Sequence, residues 1–590
     1  MFLRSFQMSN VDETSTPTSK EKRFWNYIKS LRKDNTGISS LNDKGRLFNE
    51  PKDKANILNR QYMSVFTQED QGDVPNPTGS SYAKMDDITV TTEGVRKLLI
   101  KSNPNKASGP DQIPARILKE CSEGIAPILA LIFNRSLQEG QVPRDWRHAN
   151  VTAIFKKGSR YDASNYRPVS LTSLSCKLLE HIVVSQTMKH LDKHNILSDC
   201  QHGFRARRSC ETQLLEMCHE LAHSLDQNIQ TDMIVLDFSK AFDRVPHQRL
   251  LQKIHHYGVQ GTTHNWISSF LQDRTQQVVV DGQTSDTVPV ISGVPQGTVL
   301  GPLLFLLFIN DLPAGLTSNT RLFADDCIIY RHIRTDVDHQ ILQNDLDKLA
   351  DWEKRWGMDF HPKKCSVLRV TRSRSPKLND YMLKGITLQL DKTTKYLGVD
   401  LQSNLSWNSH LNRVSKKANS MLGFLRRNLR TTNEDTKTNA YIALVRSNLD
   451  YCSTIWSPHQ QGQIRKIEMV QRRAARYVTN RYHNRSSVTD MLDHLGWDSL
   501  ETRRSKSQLI MLYKIVHDLI DIPATDFLTP STSRTRASHS FKFNQLSSST
   551  DTFKYSFFPR TIPTWNRLPA SIAEAPSLVS FKRELASTPF

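Results

Sequence analysis

The sequence predicts a mixed α+β protein of several domains, and three stretches carry that expectation. Residues 321–330, RLFADDCIIY, are apolar and β-prone except where Asp325 and Asp326 interrupt them, which reads as a hairpin with acids at its tip. Residues 233–238, MIVLDF, read as a second apolar strand closing on a single acid, Asp237. Within 463–478, Ile464, Ile467, Val470, Ala474 and Val478 fall on one face of a helix, the 3.6-residue period of an amphipathic segment.

Bulk properties narrow the partner. At 590 residues the chain is long enough for more than one domain, and 37% hydrophobic content lets most of it bury a core. With 79 Lys+Arg against 59 Asp+Glu, a net charge of +20 favours a polyanion, nucleic acid before membrane surface. The opening residues, MFLRSFQMSN, lack the apolar core of a secretion signal, so an intracellular place, nucleus or cytoplasm, is expected. The longest apolar run, 303–309, is too short to span a bilayer. Eight cysteines without a C-x-x-C pair suggest free thiols in a reducing compartment. Cys200, His202, Cys210, Cys218 and His219 fit no zinc-ligand spacing, and Arg205, Arg207 and Arg208 crowd them.

Taken in order, residues 1–20 are Ser/Thr-rich and expected to be disordered. Residues 20–67 carry Trp25, Ile28, Leu31, Ile57, Leu58, Tyr62 and Phe66, the pattern of two short helices around a loop. Residues 68–84 read as a linker, a helix starts at 91–99, and another is expected over 115–138. VTAIF (151–155) is a strand followed by Lys156, Lys157 and then Asn165-Tyr166-Arg167-Pro168, cations able to hold a phosphate chain. After Asp237 a helix is expected over 239–250, then strands at 278–280 and 288–291. SGVPQGTVLGP (292–302) packs three glycines and two prolines into eleven residues, which demands special backbone geometry and allows close approach to a ligand. Residues 341–355 are an amphipathic helix, 367–370 and 396–401 are short strands, and Lys363 and Lys364 lie between.

From 412 onward the chain turns to basic helices. Residues 412–482 hold 14 Lys/Arg and 4 Asp/Glu, half of the whole chain's positive excess. Arg465, Lys466, Arg472, Arg473 and Arg476 line the polar side of the helix at 463–478, so that one face docks on a core while the other offers cations to phosphates. Residues 529–552 are Ser/Thr-rich and expected to be flexible, and the aromatic stretch FFPRTIPTWNRLP after them reads as a small cap.

Three acids at two strand ends suit a pair of divalent ions, which stabilise both the attacking and the leaving oxygen of an in-line phosphoryl transfer. The ordered series NYRPVSL (165–171), LDFSKAFD (236–243), SGVPQGTVLGP (292–302), FADD (323–326), FHPKKC (360–365) and YLGVDL (396–401) resembles the reverse transcriptase of non-LTR retrotransposons of the Jockey/CR1 type. The resemblance runs from about 103 to 401 and more weakly beyond.

That resemblance implies a right-hand polymerase with fingers, a ferredoxin-like palm and a helical thumb. Its divisions here would be a linker-like region 1–86, fingers and palm 87–402, a basic thumb 403–482 and a C-terminal helical or cap region 483–590. It implies that Asp237, Asp325 and Asp326 bind two Mg²⁺ ions (or Mn²⁺). Lys364 would protonate the leaving pyrophosphate, although FHP stands where the family more often has Leu-Asn-Pro. Lys156 and Arg167 would hold the dNTP triphosphate, Phe242 would exclude a ribose 2′-hydroxyl, and Gln296 and Gly297 would shape the pocket around the templating pair. The implied partners are an RNA template and DNA primer, their heteroduplex, dNTPs, no membrane, and a separate endonuclease. The last follows because only about 100 residues precede the fingers, including a linker-like FWNYIKSLR, and no zinc knuckle follows, the pattern of a 5′-truncated element. A catalytically inactive nucleic-acid-binding remnant is the alternative, and an RNA-templated RNA polymerase is disfavoured by Phe242.

Overall fold

The computed structural model describes residues 37–69, 72–429, 433–483, 485–531 and 539–588. The expected helix around Trp25, Ile28 and Leu31, the first 20 residues and part of the Ser/Thr-rich 529–552 stretch fall outside them. Where two helices were expected before residue 67, the chain instead forms strands β1 (Leu41–Asp43) and β2 (Arg46–Phe48), then one helix, α1 (Pro51–Met63). Lys44 and Gly45 both take positive φ between the strands, the two-residue turn whose twist matches a hairpin. Helices α2 (Thr92–Lys101) and α3 (Ser122–Glu139) follow, α2 capped by the Thr91 hydroxyl, which accepts from Gly94 N. The helix expected over 115–138 is broken at Cys121 into Ala115–Glu120 and α3.

Next come strands β3 (His148–Phe155) and β4 (Tyr166–Leu171), helix α4 (Leu174–Lys193), helix α5 (Cys210–Asp226) and strand β5 (Gln230–Asp237). The helix expected over 239–250 is only a turn, Ala241–Arg244, before α6 (His247–His256). Pro246 pushes Val245 out of the helical region and opens α6 instead. Helix α7 (Gly261–Leu271), strands β6 (Arg274–Val280), β7 (Gln283–Thr284) and β8 (Val288–Val290), and helix α8 (Leu300–Ile309) lead to β9 (Asn319–Phe323) and β10 (Asp326–Ile333). Helix α9 (Asp336–Trp356) and strands β11 (Ser366–Val370), β12 (Gln389–Asp391), β13 (Thr393–Tyr396) and β14 (Val399–Gln402) precede the long helices α10 (Asn408–Asn428), α11 (Gln461–Thr479) and α12 (Leu500–Val516). The single strand expected at 396–401 is thus a hairpin, β13–β14, turned at Leu397 and Gly398, both of positive φ.

The chain divides into two compact units. Of the described residues, the first comprises those from 37 to 204, 237–315 and 348–361 and holds the sheet β4-β3-β6-β7, with β8 paired to β6. Its β3–β6 pair is parallel and its β3–β4 pair antiparallel. Leu58, Tyr62, Val151, Tyr166, Val278 and Val280 form a core between α1 and this sheet. Helix α8 is apolar all round and nine of its residues are buried, as such a helix must be in a water-soluble core.

The described residues within 205–236, 316–347 and 362–588 make the second unit, with the sheet β12-β11-β5-β10-β9. β5 lies at its centre between β11 and β10, and its last residue, Asp237, is where the chain returns to the first unit. The apolar face read in α11 is the buried one, with Ile467, Val470 and Ala474 fully excluded from solvent. Among the described residues no helix is long and apolar enough to cross a membrane.

Candidate active site

In the first unit the backbone after Asp237 is clamped. His361 N donates to the Asp237 carbonyl at 2.8 Å, and Ser239 N donates to the Asp359 carbonyl at 2.7 Å. Phe238 stacks on Phe360 with centroids 4.3 Å apart. Lys240 then takes a left-handed φ of 54° and starts the short turn that carries Phe242 and Asp243. Phe242 stacks on Phe305 of α8 at 4.4 Å, so its ring is fixed from below by a buried helix.

The glycine- and proline-rich loop is laced to that turn. Val294 N donates to the Phe242 carbonyl at 2.7 Å, Gly293 N to the Val245 carbonyl at 2.8 Å, and the Ser292 hydroxyl to the Asp243 carbonyl at 2.9 Å. The Gln296 amide donates to Asp243 Oδ1 at 2.9 Å, and the Gln296 carbonyl accepts from Ser170 N of β4 at 2.7 Å. Gly297 sits at φ 110°, and a Cβ there would lie 2.6 Å from the Ser170 carbonyl oxygen. Only glycine fits this close approach. Glu180 of α4, fully buried, accepts from Val299 N at 2.6 Å and Leu300 N at 2.9 Å, so a carboxylate closes the N-terminus of α8. Burial pushes the Glu180 carboxyl up, opposed by those two amides.

Lys156 and Arg167 belong to the same unit and both are exposed. Arg167 stands opposite Ile154 in the β3–β4 register, and Lys156 N donates to the Asn165 carbonyl at 2.9 Å. With a side-chain period of two, the two cations share a face of the ladder.

Asp325 and Asp326 lie in the second unit at the tip of the β9–β10 hairpin, and both are exposed. Asp326 pairs with Phe323, which leaves Ala324 and Asp325 as the two-residue turn. Ala324 is buried and held at φ 54°, an expensive position for a residue with a Cβ. The strands behind the tip are locked down. Cys327, Ile328, Ile329 and Tyr330 are completely buried, and Arg321 forms ion pairs with Glu216 and, at 2.6 Å, with Glu220 of α5. The Tyr330 hydroxyl donates to Glu220 as well. Burial pushes the Glu216 carboxyl up, while Arg321 pulls it back. Lys364, exposed, closes the short turn Pro362–Lys364 before β11.

The basic face of α11 is also in the second unit. Arg465, Lys466 and Arg473 are exposed, and Arg472 and Arg476 are half-buried. A groove of about 410 Å³ runs between α11 and α10, lined by Asn412, Lys416, Asn419, Lys466, Met469 and Arg473. Lys466 donates to the Asn412 side-chain oxygen, and Arg473 to that of Asn419 at 3.0 Å. The sequence reading named the α11 cations but missed Asn412, Lys416 and Asn419, whose i, i+4, i+7 spacing marks one face of α10. It also missed Asp243, Glu180 and the Arg321 cluster, none of which carries a local signal.

Among the described residues no three His, Cys, Asp or Glu side chains are gathered closely enough to hold a metal ion by themselves. Cys121, Cys176, Cys200, Cys210, Cys218 and Cys452 are free thiols. The acids at 237, 325 and 326 are hard oxygen donors, and Mg²⁺ is ordinarily held by one or two carboxylates together with substrate phosphates and water. Asp237 lies in the first unit and Asp325 and Asp326 in the second, each a carboxylate of the kind such an ion accepts.

Residues 154–401 match the family described as "Reverse transcriptase (RNA-dependent DNA polymerase)". The "RNA-directed DNA polymerase from mobile element jockey" of Drosophila melanogaster is 27% identical over 404 residues, covering 66% of this chain and 44% of the relative. The "Probable RNA-directed DNA polymerase from transposon BS" of the same organism is 29% identical over 411 residues, with the same coverage. A third D. melanogaster relative, from transposon X-element, is 26% identical and is covered over 43% of its length. The chain thus spans less than half the length of these relatives. A solved apo telomerase from Candida tropicalis aligns over 48% of this chain and 59% of its own at 13% identity with a TM-score of 0.32, a likeness too weak to argue from. The six ordered motifs, the acid-tipped hairpin and the family match converge: residues 154–401 are a reverse transcriptase domain, related to the polymerases of non-LTR retrotransposons.

Proposed function

We propose that the chain is an RNA-directed DNA polymerase that extends a DNA primer on a retroelement RNA. The observation that carries the reading is the β9–β10 hairpin: two exposed carboxylates on a strained tip, over strands that are buried and ion-paired. A fold that needed only a turn there would not spend a left-handed alanine and a buried ion cluster on it.

Asp237, Asp325 and Asp326 would hold two Mg²⁺ ions, with Mn²⁺ as a substitute. When bound, the ions lower the pKa of the primer 3′-hydroxyl and offset charge on the departing pyrophosphate. Lys156 and Arg167 bind the triphosphate, Arg as a planar fork and Lys as a point charge. Phe242, its ring pinned on Phe305, excludes a 2′-hydroxyl, so that dNTPs are chosen over rNTPs. Gln296 and Gly297 support the nascent pair, and Lys364 supplies a proton to the leaving group. The basic groove of α10 and α11 takes the phosphate backbone of the RNA–DNA heteroduplex.

Primer extension on poly(rA)/oligo(dT) with Mg²⁺ and dTTP, wild type beside Asp325→Ala, tests the reading. Incorporation by the wild type that the substitution abolishes supports it. A folded wild type that binds duplex and incorporates nothing would point to a nucleic-acid-binding remnant instead.

A further inference from the structure

Within the proposed nucleotide pocket Asp243 touches Gln296, faces the charge of Arg167 and adjoins Phe242, and nothing in the motif reading gives it a task. It follows Phe242 in the turn after β5 and lies in the first unit with everything it meets. Its Oδ1 accepts from Gln296, its carbonyl accepts from Ser292, and its amide donates to the Lys240 carbonyl at 3.0 Å. Lys240 and Arg167 both stabilise its charge. Against them, burial pushes the carboxyl up to about 6. Tyr62 of α1, outside the matched domain, is buried with its hydroxyl lacking a hydrogen-bond partner, and Asp243 raises that phenol further.

The partners matter because of what they are. Gln296 can rotate about three bonds and has two interchangeable ends. An acceptor on its Nε2 fixes which end is which and leaves the carbonyl end with a defined direction. The same short turn presents Phe242, whose carbonyl is taken by Val294. A half-buried carboxylate at this junction costs desolvation, and the protein keeps it where a neutral residue would pack more cheaply.

We propose that Asp243 is a positioning residue for the incoming nucleotide, holding the Gln296 amide and the Phe242 turn in the arrangement that receives a dNTP. The proposal rests on the polymerase reading above. It acts through Gln296, so the effect of Asp243 belongs to nucleotide binding and disappears when Gln296 is gone.

The test uses the full chain, with kcat and KM for dTTP on poly(rA)/oligo(dT) for the wild type, D243A, D243N, Q296A and D243A/Q296A. Losing a hydrogen bond to a charged group predicts a KM about tenfold higher for D243A with kcat changed by less than about threefold. D243N recovers only part of that loss, because its amide oxygen still accepts from Gln296 but carries no charge. In the Q296A background D243A adds less than about a twofold effect, the mark of residues acting as one unit. Additive losses, or a fall in kcat at unchanged KM, would overturn the proposal while leaving the polymerase reading intact. An inactive, folded wild type would overturn both. Should D243A fail to fold, D243N/Q296A must match Q296A alone, and a further loss in that double variant refutes the proposal.

Discussion

Replacing Gly297 with alanine is the sharpest test of the loop geometry. The added Cβ would sit 2.6 Å from the Ser170 carbonyl oxygen and 3.2 Å from Val169 Cγ1, where ordinary contact begins near 3.4 Å. Loop and strand must separate by about 0.8 Å to relieve it. That movement falls on the 2.7 Å bond from Ser170 N to the Gln296 carbonyl. Strain of about 1–2 kcal/mol for an L residue at φ 110°, about 1 for the weakened hydrogen bond and about 1–3 for overpacking give a destabilisation of about 3–6 kcal/mol. A stiffer unfolded chain returns less than about 1 kcal/mol. Gly282 supplies the control: its φ of 83° carries similar backbone strain, but a Cβ there meets nothing within 4 Å. G282A therefore costs about 1–2 kcal/mol and leaves the reaction alone. Denaturant unfolding of both variants, with the dTTP KM measured beside it, separates clash from strain. A displacement of the order of 1 Å at Gln296 predicts a loss of about a hundredfold in kcat/KM for G297A alone. The two variants unfolding alike, with wild-type KM for both, would refute the close approach of loop and strand.

Asp325→Asn and Asp326→Asn change exposed residues, so their melting temperatures stay at the wild-type value, while Asp325→Asn cuts incorporation by about a thousandfold; a variant that loses its fold along with its activity contradicts the assignment. Neutralising Lys416, Lys466 and Arg473 together removes three cations from the α10–α11 groove and lowers the slope of log affinity for duplex against log salt by about 2 to 3. A slope that does not move removes the groove from the nucleic-acid path. The pH response of Asp243 has two opposite signs. Because its carboxyl holds a proton more tightly folded, at about 6, than at the ordinary 3.8, its contribution to stability is complete below the lower value and is lost as pH rises through 6. The ionised form is the one that Gln296, Lys240 and Arg167 face, so the dTTP KM rises as pH falls through 6 while this part of the stability grows. D243N shows neither trend, and a wild-type KM flat from pH 5 to about 8 would remove the carboxylate from nucleotide binding.

Much of the architecture was legible because it is written in period and apolar runs. The α11 face, the β5 strand with its terminal acid and the acid-tipped hairpin are each decided within ten or twenty residues. The failures share one cause. Hairpins were missed at Lys44-Gly45 and Leu397-Gly398, where an x-Gly pair with positive φ at both positions makes the turn. Neither Lys nor Leu signals such a turn as Asn or Asp does, whereas Asp281-Gly282 has that recognisable form. Likewise Pro246 ended a helix that the surrounding apolar spacing favoured. Of the proposed site, residues that present chemistry at strand ends could be named from the sequence. Residues that support them could not, since Asp243 meets Gln296 across 53 positions and Glu180 meets Val299 across 119.

That division follows from how the stability of such a site is arranged. Ala324 at positive φ and two adjacent carboxylates at one turn both oppose folding of the hairpin tip. The strands beneath offset that cost locally, through four consecutive fully buried residues from Cys327 to Tyr330 and through Arg321 shared between Glu216 and Glu220. In the first unit the Gln296 loop is likewise irregular, and its carbonyls and amides are satisfied by Asp243, Ser170 and Glu180 rather than by neighbours in sequence. Local rules fail at such places by necessity, because a backbone held in an unfavourable shape needs partners from elsewhere in the chain. The same fact makes the supporting residues the more informative targets. Removing Asp325 asks whether the reaction needs a carboxylate, whereas removing Asp243 in the presence and absence of Gln296 asks how the fold shapes the pocket for the nucleotide.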